Sequence, residues 1–559
     1  MADLVEYIIT AKTFEDDTLY EDLERLGGNL YIPDRAIPVL YRRPISRNTH
    51  YMLTADEAEQ IRSDPRVIAV TPADFIRNSI KPFWTQGPLT FWREPTNASS
   101  DINWGLLRTL IYSNIPNWGL DGTQGVTTSI SLNTGGANVD VVIVDGYLNP
   151  NHPEYAKNSD GSGGTRFIPH PWTPGFTYPA DVTVGPTLTV ENNNHGAHVA
   201  GTAAGNSQGW ARFANIYNIY PYGTAPYNPT DPYHLDPLQI WDYIRAFHNS
   251  KSVIGRNPTI CNCSYGTTIT WPSVVNGNTF GSITSATYRS VSVTGTPYLS
   301  SAQLIASGIY NTGGTANIPF YNVSFDTDLV DAIADGIIIV SSSGNDSFLT
   351  VTDTNIDYNN TFSATFNGSP ITLNQHRGSA PAAATGVISV GNAGTLVAEY
   401  KANSSNCGDR VNIFAPGTSI MSSVNTSTAF VAEGWPTPVQ DPRNASFYIT
   451  KINGTSMASP NVTGVLACVL EANPFFTQAD AMSWITANGQ PGRMGNTGGG
   501  TADTTSLQGA PNRYLYMVEQ RSSTGLASPQ RNYGYRSNPA VSGQGTTNLV
   551  WPRPKIRVT

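Results

Sequence analysis

The chain contains little cysteine, few charged residues and no long apolar run, and each of these shortages argues against a class of function. The four cysteines in 559 residues, Cys261, Cys263, Cys407 and Cys468, show neither zinc-site nor redox-motif spacing, so we expect no metal centre and no disulfide framework. The net charge of −9 predicts no general affinity for nucleic acid. No apolar run reaches the length of a membrane span, so no membrane partner is expected.

The first residues also lack the features of a secretion signal. The segment 1–6 has no basic n-region, and sequence with the pattern of folded structure begins almost at once. Charged residues are only 13% of the chain, a balance that favours an extracellular or particle-bound protein over a typical cytosolic enzyme. Together these observations predict either an intracellular protein or one delivered inside a particle such as a virion.

What the chain does contain is a serine in a chemically suggestive position. Ser456 lies between the turn at 453–454 and the apolar run 462–470, which predicts a buried helix. A hydroxyl at a helix N-terminus has free backbone N–H groups beside it, and these could hold the oxyanion that develops in acyl transfer. Pro460 is expected in the first turn, where a missing N–H costs no hydrogen bond. Taken alone, Ser456 would more often be a helix cap than a nucleophile.

Two other segments favour the nucleophile. Asp145 ends the apolar run 139–144, which is typical of a strand buried on both faces of a parallel sheet, and functional groups collect at the carboxyl ends of such strands. His195 begins the small-residue segment 195–202, which predicts the start of a helix. An alcohol, an imidazole and a carboxylate are the three groups of a proton relay for nucleophilic catalysis.

These three segments resemble the subtilisin family of serine proteases. The order Asp, His, Ser along the chain is that family's order. Residues 454–460 match G-T-S-M-A-S-P in full, and residues 195–202 match H-G-T-H-V-A-G-T except for an alanine at the third position. The resemblance implies a three-layer α/β sandwich around a mainly parallel sheet. It also implies a serine endopeptidase with Asp145, His195 and Ser456 as its catalytic residues.

The aspartate segment departs from the family pattern at one place. The family usually has Ser or Thr and then Gly after the aspartate, whereas Gly146 and Tyr147 follow Asp145. A hydroxyl that could orient the carboxylate is therefore missing. His198 is implied by the resemblance to be a structural residue near the site and not the base.

Two further segments resemble parts of the family's substrate site. Asn345 follows the apolar run 336–340 and matches an asparagine whose side chain supplies the second oxyanion donor, although by itself it would be a turn residue. Ser264, Tyr265 and Gly266 resemble the family's S-x-G edge strand. That strand pairs with the substrate backbone and lines the pocket for the residue before the scissile bond. The implied substrate is a polypeptide.

Residues 1–78 are predicted to form a separate small domain. They alternate strand, helix, strand, helix, strand, which is typical of a split βαβ, ferredoxin-like α+β sandwich, and Thr54 to Glu57 form a predicted capping box. The segments 53–58 and 64–67 resemble the propeptide of subtilisin-like proteases. The resemblance implies a domain that assists folding, inhibits the enzyme and is removed by autoprocessing within a linker, residues 79–103. A generic docking module is the alternative.

Residues 104–518 are expected to form the catalytic domain, with two insertions relative to a minimal family member. The insertions 267–319 and 347–383 follow the substrate strand and the oxyanion asparagine, so they either shape substrate access or are plain surface loops. The alternating stretch 288–293 predicts one arm of a hairpin. Residues 519–559 lack periodic apolar positions and are expected to be a flexible tail, or an arm that contacts a particle or another subunit.

The implied chemistry requires no cofactor, but calcium is common in the family. The stretch 353–357 spaces oxygen ligands alternately, although it lacks the glycine and distal glutamate of an EF-hand loop, and a plain polar loop is the alternative. The main competing function is a catalytically silent structural or virion protein that keeps the scaffold. An esterase is disfavoured because Ser456 lacks the G-x-S-x-G elbow and the triad order differs.

Overall fold

The computed structural model describes residues 4–13, 17–25, 39–42, 46–73, 80–82, 103–110, 130–132, 134–158, 160–170, 172, 193–221, 235, 238–251, 256–275, 277–309, 311–312, 315–319, 321–394, 399–425, 438–495, 506–517 and 520–522. Its helices are α1 (Asp17–Glu24), α2 (Ala55–Arg62), α3 (Trp104–Leu110), α4 (Asn193–Ala204), α5 (Ile240–Ser250), α6 (Ser301–Ala306), α7 (Val323–Ala334), α8 (Thr455–Ala472) and α9 (Gln478–Asn488).

Its strands are β1 (Val5–Ala11), β2 (Val39–Arg42), β3 (Asn48–Leu53), β4 (Val67–Pro72), β5 (Ile80–Pro82), β6 (Ile130–Leu132), β7 (Asp140–Val144), β8 (Asn215–Ile219), β9 (Thr259–Cys263), β10 (Tyr265–Trp271), β11 (Ser273–Val275), β12 (Asn278–Phe280), β13 (Ser285–Tyr288), β14 (Val291–Thr294), β15 (Asn311–Thr312), β16 (Thr315–Pro319), β17 (Ile338–Ser342), β18 (Thr361–Phe366), β19 (Ser369–Asn374), β20 (Ile388–Ala393), β21 (Ile413–Pro416), β22 (Ile420–Val424), β23 (Val439–Asp441), β24 (Asn444–Ile452), β25 (Gln490–Pro491), β26 (Arg513–Tyr514) and β27 (Gln520–Ser522).

The N-terminal module, residues 5–72, is a small antiparallel sheet with two helices. The strand order is β2-β3-β1-β4, which is the order of a split βαβ sandwich. The predicted capping box is confirmed, because the Thr54 side chain accepts from the Glu57 N–H and the Thr54 N–H donates to the Glu57 carboxylate at 2.7 Å. The sequence pattern missed strand β2. This strand is only four residues long and lies at the edge of the sheet.

The centre of the segment that is expected to be the catalytic domain is an eight-stranded sheet in the order β25-β26-β21-β20-β17-β9-β7-β8. All neighbours from β26 to β8 are parallel, and the pair β25–β26 is antiparallel. Strands β7, β9 and β17 are buried along their whole length, and for β7 the apolar run 139–144 predicts this. The expected α/β fold with a mainly parallel sheet is therefore confirmed.

Helices cover both faces of this sheet and complete three layers. Alternate residues of β7 point to opposite faces. Val141 and Ile143 pack in one apolar cluster with Val199 of α4 and Leu466 of α8. The residues between and after them, Val142 and Val144, pack in a second cluster with side chains of α5 and α7. The carboxyl end of β7 is thereby fixed between two cores, and Asp145 follows it directly.

The two insertions fold together into one unit, which we call the β module: strands β10–β16, β18 and β19 with helix α6. It has an apolar core of its own, which includes Trp271, Phe280 and Phe362. The prediction for residues 288–293 was wrong. Strand β13 ends at Tyr288 and β14 begins at Val291, so the stretch contains the hairpin turn and not one arm.

Two short pairings connect distant parts of the chain to this framework. Strand β5 pairs antiparallel with β10, and β27 pairs antiparallel with β6. Residues 520–522 therefore belong to a strand pair, whereas residues 523–559 of the expected tail lie outside the described residues. Among the residues that the structure describes, none of the helices combines the length and hydropathy that a membrane crossing needs.

Candidate active site

Asp145, His195 and Ser456 come from three different elements of the catalytic domain. Asp145 follows β7, His195 lies in the first turn of α4, and Ser456 is the second residue of α8. All three are almost wholly buried, with relative exposures of 0%, 1% and 0%. Burial strengthens electrostatic interactions among such groups because water does not screen them.

The aspartate and the histidine are joined by a hydrogen bond. The His195 Nδ1 and Asp145 Oδ1 atoms are 2.7 Å apart, so an imidazole with its proton on Nδ1 donates to the carboxylate. The Gly146 N–H donates to the same Oδ1 at 2.6 Å. The carboxylate is therefore oriented by the backbone of its own neighbour, although the hydroxyl that the family pattern places after the aspartate is absent.

A buried asparagine supports this turn from the adjacent strand. Asn218 of β8 donates through Nδ2 to the carbonyls of Ile143 at 3.0 Å and Gly146 at 3.2 Å. On the other side, a Cβ added to Gly196 would lie 1.8 Å from the Gly146 carbonyl oxygen. Only glycine at position 196 lets the histidine helix approach the turn so closely.

The serine is close to the substrate-strand segment, residues 264–266, but forms no hydrogen bond with the histidine. The Ser456 hydroxyl donates to the Ser264 carbonyl at 3.3 Å. The Nε2 atom of His195 is buried and has no hydrogen-bond partner among the described residues. The serine–histidine hydrogen bond of a proton relay is thus not formed in this arrangement.

Pro460 lies deeper in the helix than the sequence predicts. Helix α8 begins at Thr455, so Pro460 is its sixth residue and removes the N–H that would bond to the Ser456 carbonyl. The Ser264 hydroxyl donates to that carbonyl instead, at 2.9 Å. The proline therefore leaves an acceptor that ties the helix start to the substrate-strand segment.

Asn345 is positioned by the first residue of the same helix. Its Oδ1 accepts the Thr455 N–H at 2.9 Å and the Thr455 hydroxyl at 3.0 Å. These contacts fix which end of the amide is oxygen. Its Nδ2 is buried without a partner in the described part of the chain, so an amide donor remains available beside the start of α8.

Sequence reasoning missed the residue that holds the Asn345 turn in place. Asn406 is fully buried; its Nδ2 donates to the Ser343 carbonyl at 2.7 Å, and its Oδ1 accepts the Phe348 N–H at 2.9 Å. Gly344, between them, has a φ of 109°, and a Cβ there would lie 2.2 Å from Asn406 Nδ2. A single asparagine in a polar loop gives no sequence signal that separates this role from an ordinary turn.

The Ser264–Gly266 segment is paired with a strand from the N-terminal part of the chain. Tyr265 lies opposite Pro82 and Gly266 opposite Lys81 in the antiparallel ladder of β10 and β5. The side chain of Tyr265 is fully buried in an apolar cluster, and this burial raises its pKa well above the ordinary value. The backbone of Tyr265 is the part of this residue that meets an added strand.

The neighbouring ionisable groups have structural contacts. His198 Nε2 donates to the Ile420 carbonyl at 2.8 Å, and burial lowers the pKa of His198 to about 3. All four cysteines are free thiols and buried, in agreement with the expected lack of disulfides. Burial raises the pKa of Cys263 well above its ordinary value, so this thiol stays protonated near the site.

Two side chains of the stretch 353–357 are bonded to other parts of the protein. Both oxygens of Asp357 accept from the Arg289 guanidinium, at 2.7 and 2.8 Å. Asn355 donates its amide to Asp409 at 3.1 Å. Among the described residues, no cluster of three or more His, Cys, Asp or Glu is suited to a metal ion, and calcium binding by this stretch stays a prediction.

Comparison with known proteins agrees with this arrangement. The model of the Subtilase family matches residues 136–504. The chain therefore belongs to the subtilase family, the subtilisin-like serine peptidases.

Individual relatives are more distant. The chain is 37% identical over 123 residues to an extracellular protease of Xanthomonas campestris pv. campestris, which covers 22% of this chain and 19% of that protein. It is 25% identical over 442 residues to an extracellular serine proteinase of Thermus sp., which covers 79% of this chain and 70% of that protein.

Solved structures with a similar fold include two subtilisin relatives. One is fervidolysin from Fervidobacterium pennivorans, a keratinolytic enzyme related to subtilisin, with a TM-score of 0.47, 16% identity, and coverage of 91% of this chain and 60% of that chain. The other is a cold adapted subtilisin-like serine proteinase, with a TM-score of 0.42, 19% identity, and coverage of 75% of this chain and 99% of that chain.

Proposed function

We propose that the protein is a serine endopeptidase that hydrolyses polypeptides with Asp145, His195 and Ser456. The observation that carries this proposal is the 2.7 Å bond between Asp145 and the buried imidazole of His195. The opposite nitrogen of that imidazole has no partner among the described residues. An imidazole fixed on one side and open on the other is suited to accept the proton of an attacking hydroxyl.

In the proposed reaction, Ser456 Oγ attacks the scissile carbonyl while its proton passes to His195 Nε2. Asp145 stabilises the imidazolium. The oxyanion accepts hydrogen bonds from Asn345 Nδ2 and from the Ser456 N–H at the start of α8. His195 then returns the proton to the leaving amine, and water hydrolyses the acyl-enzyme by the same steps. No cofactor enters these steps.

We further propose that residues 1–78 act as a propeptide and inhibitor. Strand β5, just beyond that domain, runs antiparallel along β10, and its last residue, Pro82, lies opposite Tyr265. From Ile80 to Pro82 the strand therefore runs in the direction of Ser264, whose carbonyl accepts the Ser456 hydroxyl. This direction supports a processing bond within the predicted linker 79–103 and close after Pro82, which N-terminal sequencing of the mature protein would locate.

One observation favours the catalytically silent alternative for the uncut chain. The Ser456 hydroxyl is bonded to Ser264 and not to His195, and β5 occupies the edge strand. A silent structural protein would keep this arrangement permanently. A precursor would lose this arrangement when the N-terminal module dissociates.

A fluorophosphonate probe tests the proposed function directly. After the linker has been cut, we expect the probe to label Ser456 in the wild-type protein and to leave Ser456→Ala unlabelled. Ser446→Ala, which changes an exposed serine of β24, is the matched control and should label like the wild type. A wild-type protein that is cut and folded but takes up no probe would support the silent alternative.

The location of the protein is also a proposal. The low share of charged residues, 13% of the chain, favours an extracellular or particle-bound protein, and two relatives are named extracellular. We propose a particle-bound protein. Detection of the protein mainly in the cytoplasmic fraction of the cells that produce it, and not in released particles, would contradict it.

A further inference from the structure

Strand β22 lies directly against the helix that carries His195. The Ser422 hydroxyl donates to the His198 carbonyl at 2.8 Å, and the Ser423 hydroxyl donates to the Ala197 carbonyl at 3.0 Å. A Cβ added to Gly201 would lie 2.3 Å from the oxygen atoms of both hydroxyls. The histidine helix is therefore fixed along β22, and movement of the strand end would move the helix start.

Asn425, the residue after this strand, joins the helix to the aspartate turn. Its Oδ1 accepts the Asn149 N–H at 2.7 Å, and its Nδ2 donates to the Tyr147 carbonyl at 2.9 Å. Both partners lie just after Asp145 in the chain. Its backbone N–H donates to Oδ1 of Asn194, the residue before His195, at 3.1 Å. One residue thus contacts both segments that meet in the aspartate–histidine bond.

The chemistry of the asparagine amide suits this role. A planar amide offers one acceptor and a donor group together, so it bonds to a backbone N–H and a backbone C=O as another strand would. The serine or threonine of the family pattern is missing after Asp145, and the Gly146 N–H donates to the Asp145 carboxylate, so the position of the turn backbone contributes to the orientation of that carboxylate. Contacts that fix this backbone therefore fix the carboxylate.

We propose that Asn425 is a positioning residue that sets the placement of the Asp145 turn against the His195 helix. The inference rests on the proposed peptidase function. It predicts an effect on the chemical step and not on substrate binding. The substrate edge strand at Gly266 and the oxyanion donor Asn345 belong to other elements, whereas the bonds of Asn425 to Asn149, Asn194 and Tyr147 reach the two segments that carry Asp145 and His195.

Asn425→Ala removes both side-chain bonds and keeps the backbone N–H. The assay uses a peptide substrate and the whole protein after its linker has been cut. We expect kcat to fall about 10- to 100-fold and KM to stay unchanged. A misplacement of about 1 Å produces an effect of this size. The labelling rate with the fluorophosphonate should fall in parallel, while the final fraction of labelled protein stays that of the wild type. That end point shows that the site is still folded. Asn444→Ala, an exposed asparagine of β24, is the matched control.

Adding Asn425→Ala to a protein that already carries Asp145→Ala distinguishes a positioning role of Asn425 from general damage to the fold. If Asn425 acts through the aspartate–histidine bond, adding Asn425→Ala to Asp145→Ala should lower kcat less than about twofold. The reason is that Asp145→Ala has already removed the interaction through which Asn425 acts. Independent, multiplicative losses would overturn the proposal, as would wild-type kcat in Asn425→Ala or an effect on KM alone. Full activity of Ser456→Ala would instead overturn the proposed function itself.

Discussion

The N-terminal module and the β module are both additions to the catalytic sheet, but they meet it in different ways. The N-terminal module contacts α7 through polar side chains and through one buried apolar residue. Thr10 Oγ1 donates to Ser324 at 2.7 Å, and Ser46 Oγ donates to Asp328 at 2.6 Å. Ile8 lies in the apolar cluster that also contains Phe325 and Leu329 of α7. The β module continues the substrate strand and packs around its own apolar core.

This difference indicates how each unit is used. When the N-terminal module separates from α7, the polar groups of this interface form hydrogen bonds to water instead. Their net contribution to the free energy of binding is therefore modest, and the module can separate. Buried aromatic side chains lose their partners on exposure and gain nothing comparable from water. The N-terminal module, which combines polar contacts with the burial of Ile8, is therefore expected to separate more easily than the β module, which is built around an aromatic core.

The largest expected effect tests whether release depends on the proposed active site. Ser456→Ala removes the nucleophile, so the chain should stay uncut after Pro82 and peptide hydrolysis should fall at least about 10⁴-fold. Intact mass measurement of the purified chain gives the result, with Ser446→Ala as the control that is cut normally. A Ser456→Ala chain that is produced alone and still becomes cut close after Pro82 would show that another protease performs the step.

The second prediction concerns the permanence of the β module. Trp271 is buried, with its ring centroid 5.2 Å from that of Phe280 and 5.9 Å from that of Phe362. Trp271→Ala should lower the free energy of unfolding of this unit by about 3–5 kcal/mol, through lost burial and the cavity left behind. Urea unfolding followed by hydrogen exchange in the module measures the change.

The matched control is Val274, three residues after Trp271. Val274 is 69% exposed in the same module, so Val274→Ala should change the free energy of unfolding by less than about 0.5 kcal/mol. Equal effects of the two changes would mean that the aromatic cluster does not hold the module together.

How much of the molecule could be predicted from the sequence depends on how local the signal is. The capping box at Thr54 and the buried strand before Asp145 are short patterns with a direct physical meaning, and both are confirmed. The β module could not be predicted because its pairings are distant in sequence, as between Ala286 and Phe362. The hairpin turn at Arg289 and Ser290 was missed because both residues adopt positive φ without being glycine.

The candidate site divides in the same way. Ser456, His195 and Asn345 lie in motifs that can be recognised in the chain. The asparagines that hold the site, Asn218 and Asn406, have no motif of their own, since a lone asparagine is an ordinary turn residue by sequence. Their role depends on backbone groups that only the folded chain brings near, so it is visible in the structure alone.

The third prediction concerns the interface between the N-terminal module and α7. Asp328 of α7 accepts hydrogen bonds from Ser46 and, at 3.0 Å, from Asn48 of the N-terminal module. Hydrogen bonds to a charged group contribute roughly 1.5–3 kcal/mol each, so Asp328→Ala should weaken binding of the cut module at least about 10-fold. A chain with an engineered cleavage site within 83–103 allows the measurement, as the fraction of cut module that co-elutes at each concentration.

The control for this experiment is Asp335, the residue directly after α7. Asp335 pairs with Arg245 of the catalytic domain at 2.7 Å and with no described residue of the N-terminal module, so Asp335→Ala should leave co-elution unchanged. If Asp335→Ala weakens co-elution as much as Asp328→Ala, the loss comes from damage to α7 and not from the interface.

The smallest expected effect concerns an ion pair of the β module. Hydrogen bonds from Arg289 lower the pKa of Asp357 below its ordinary value of 3.8. A carboxyl group whose pKa is lowered by folding stabilises the folded state above its ordinary pKa, and this contribution is lost as the pH falls through the lowered value. Since Arg289 is 49% exposed, the pair contributes little in total. The pair should therefore strengthen the β module only above about pH 4.

Arg289→Ala tests this sign. Wild type and variant should differ in urea midpoint at about pH 6, and the two midpoints should converge as the pH falls through the lowered pKa of Asp357. Arg62→Ala, which removes an exposed arginine from the N-terminal module, should leave the unfolding of the β module unchanged across this pH range. A difference between wild type and Arg289→Ala that is the same across this pH range would mean that Arg289 acts through packing on Tyr288, whose ring centroid lies 5.1 Å from its guanidinium, and not through charge. The β module would then depend on apolar contacts even at its surface, and the contrast with the polar N-terminal interface would be stronger.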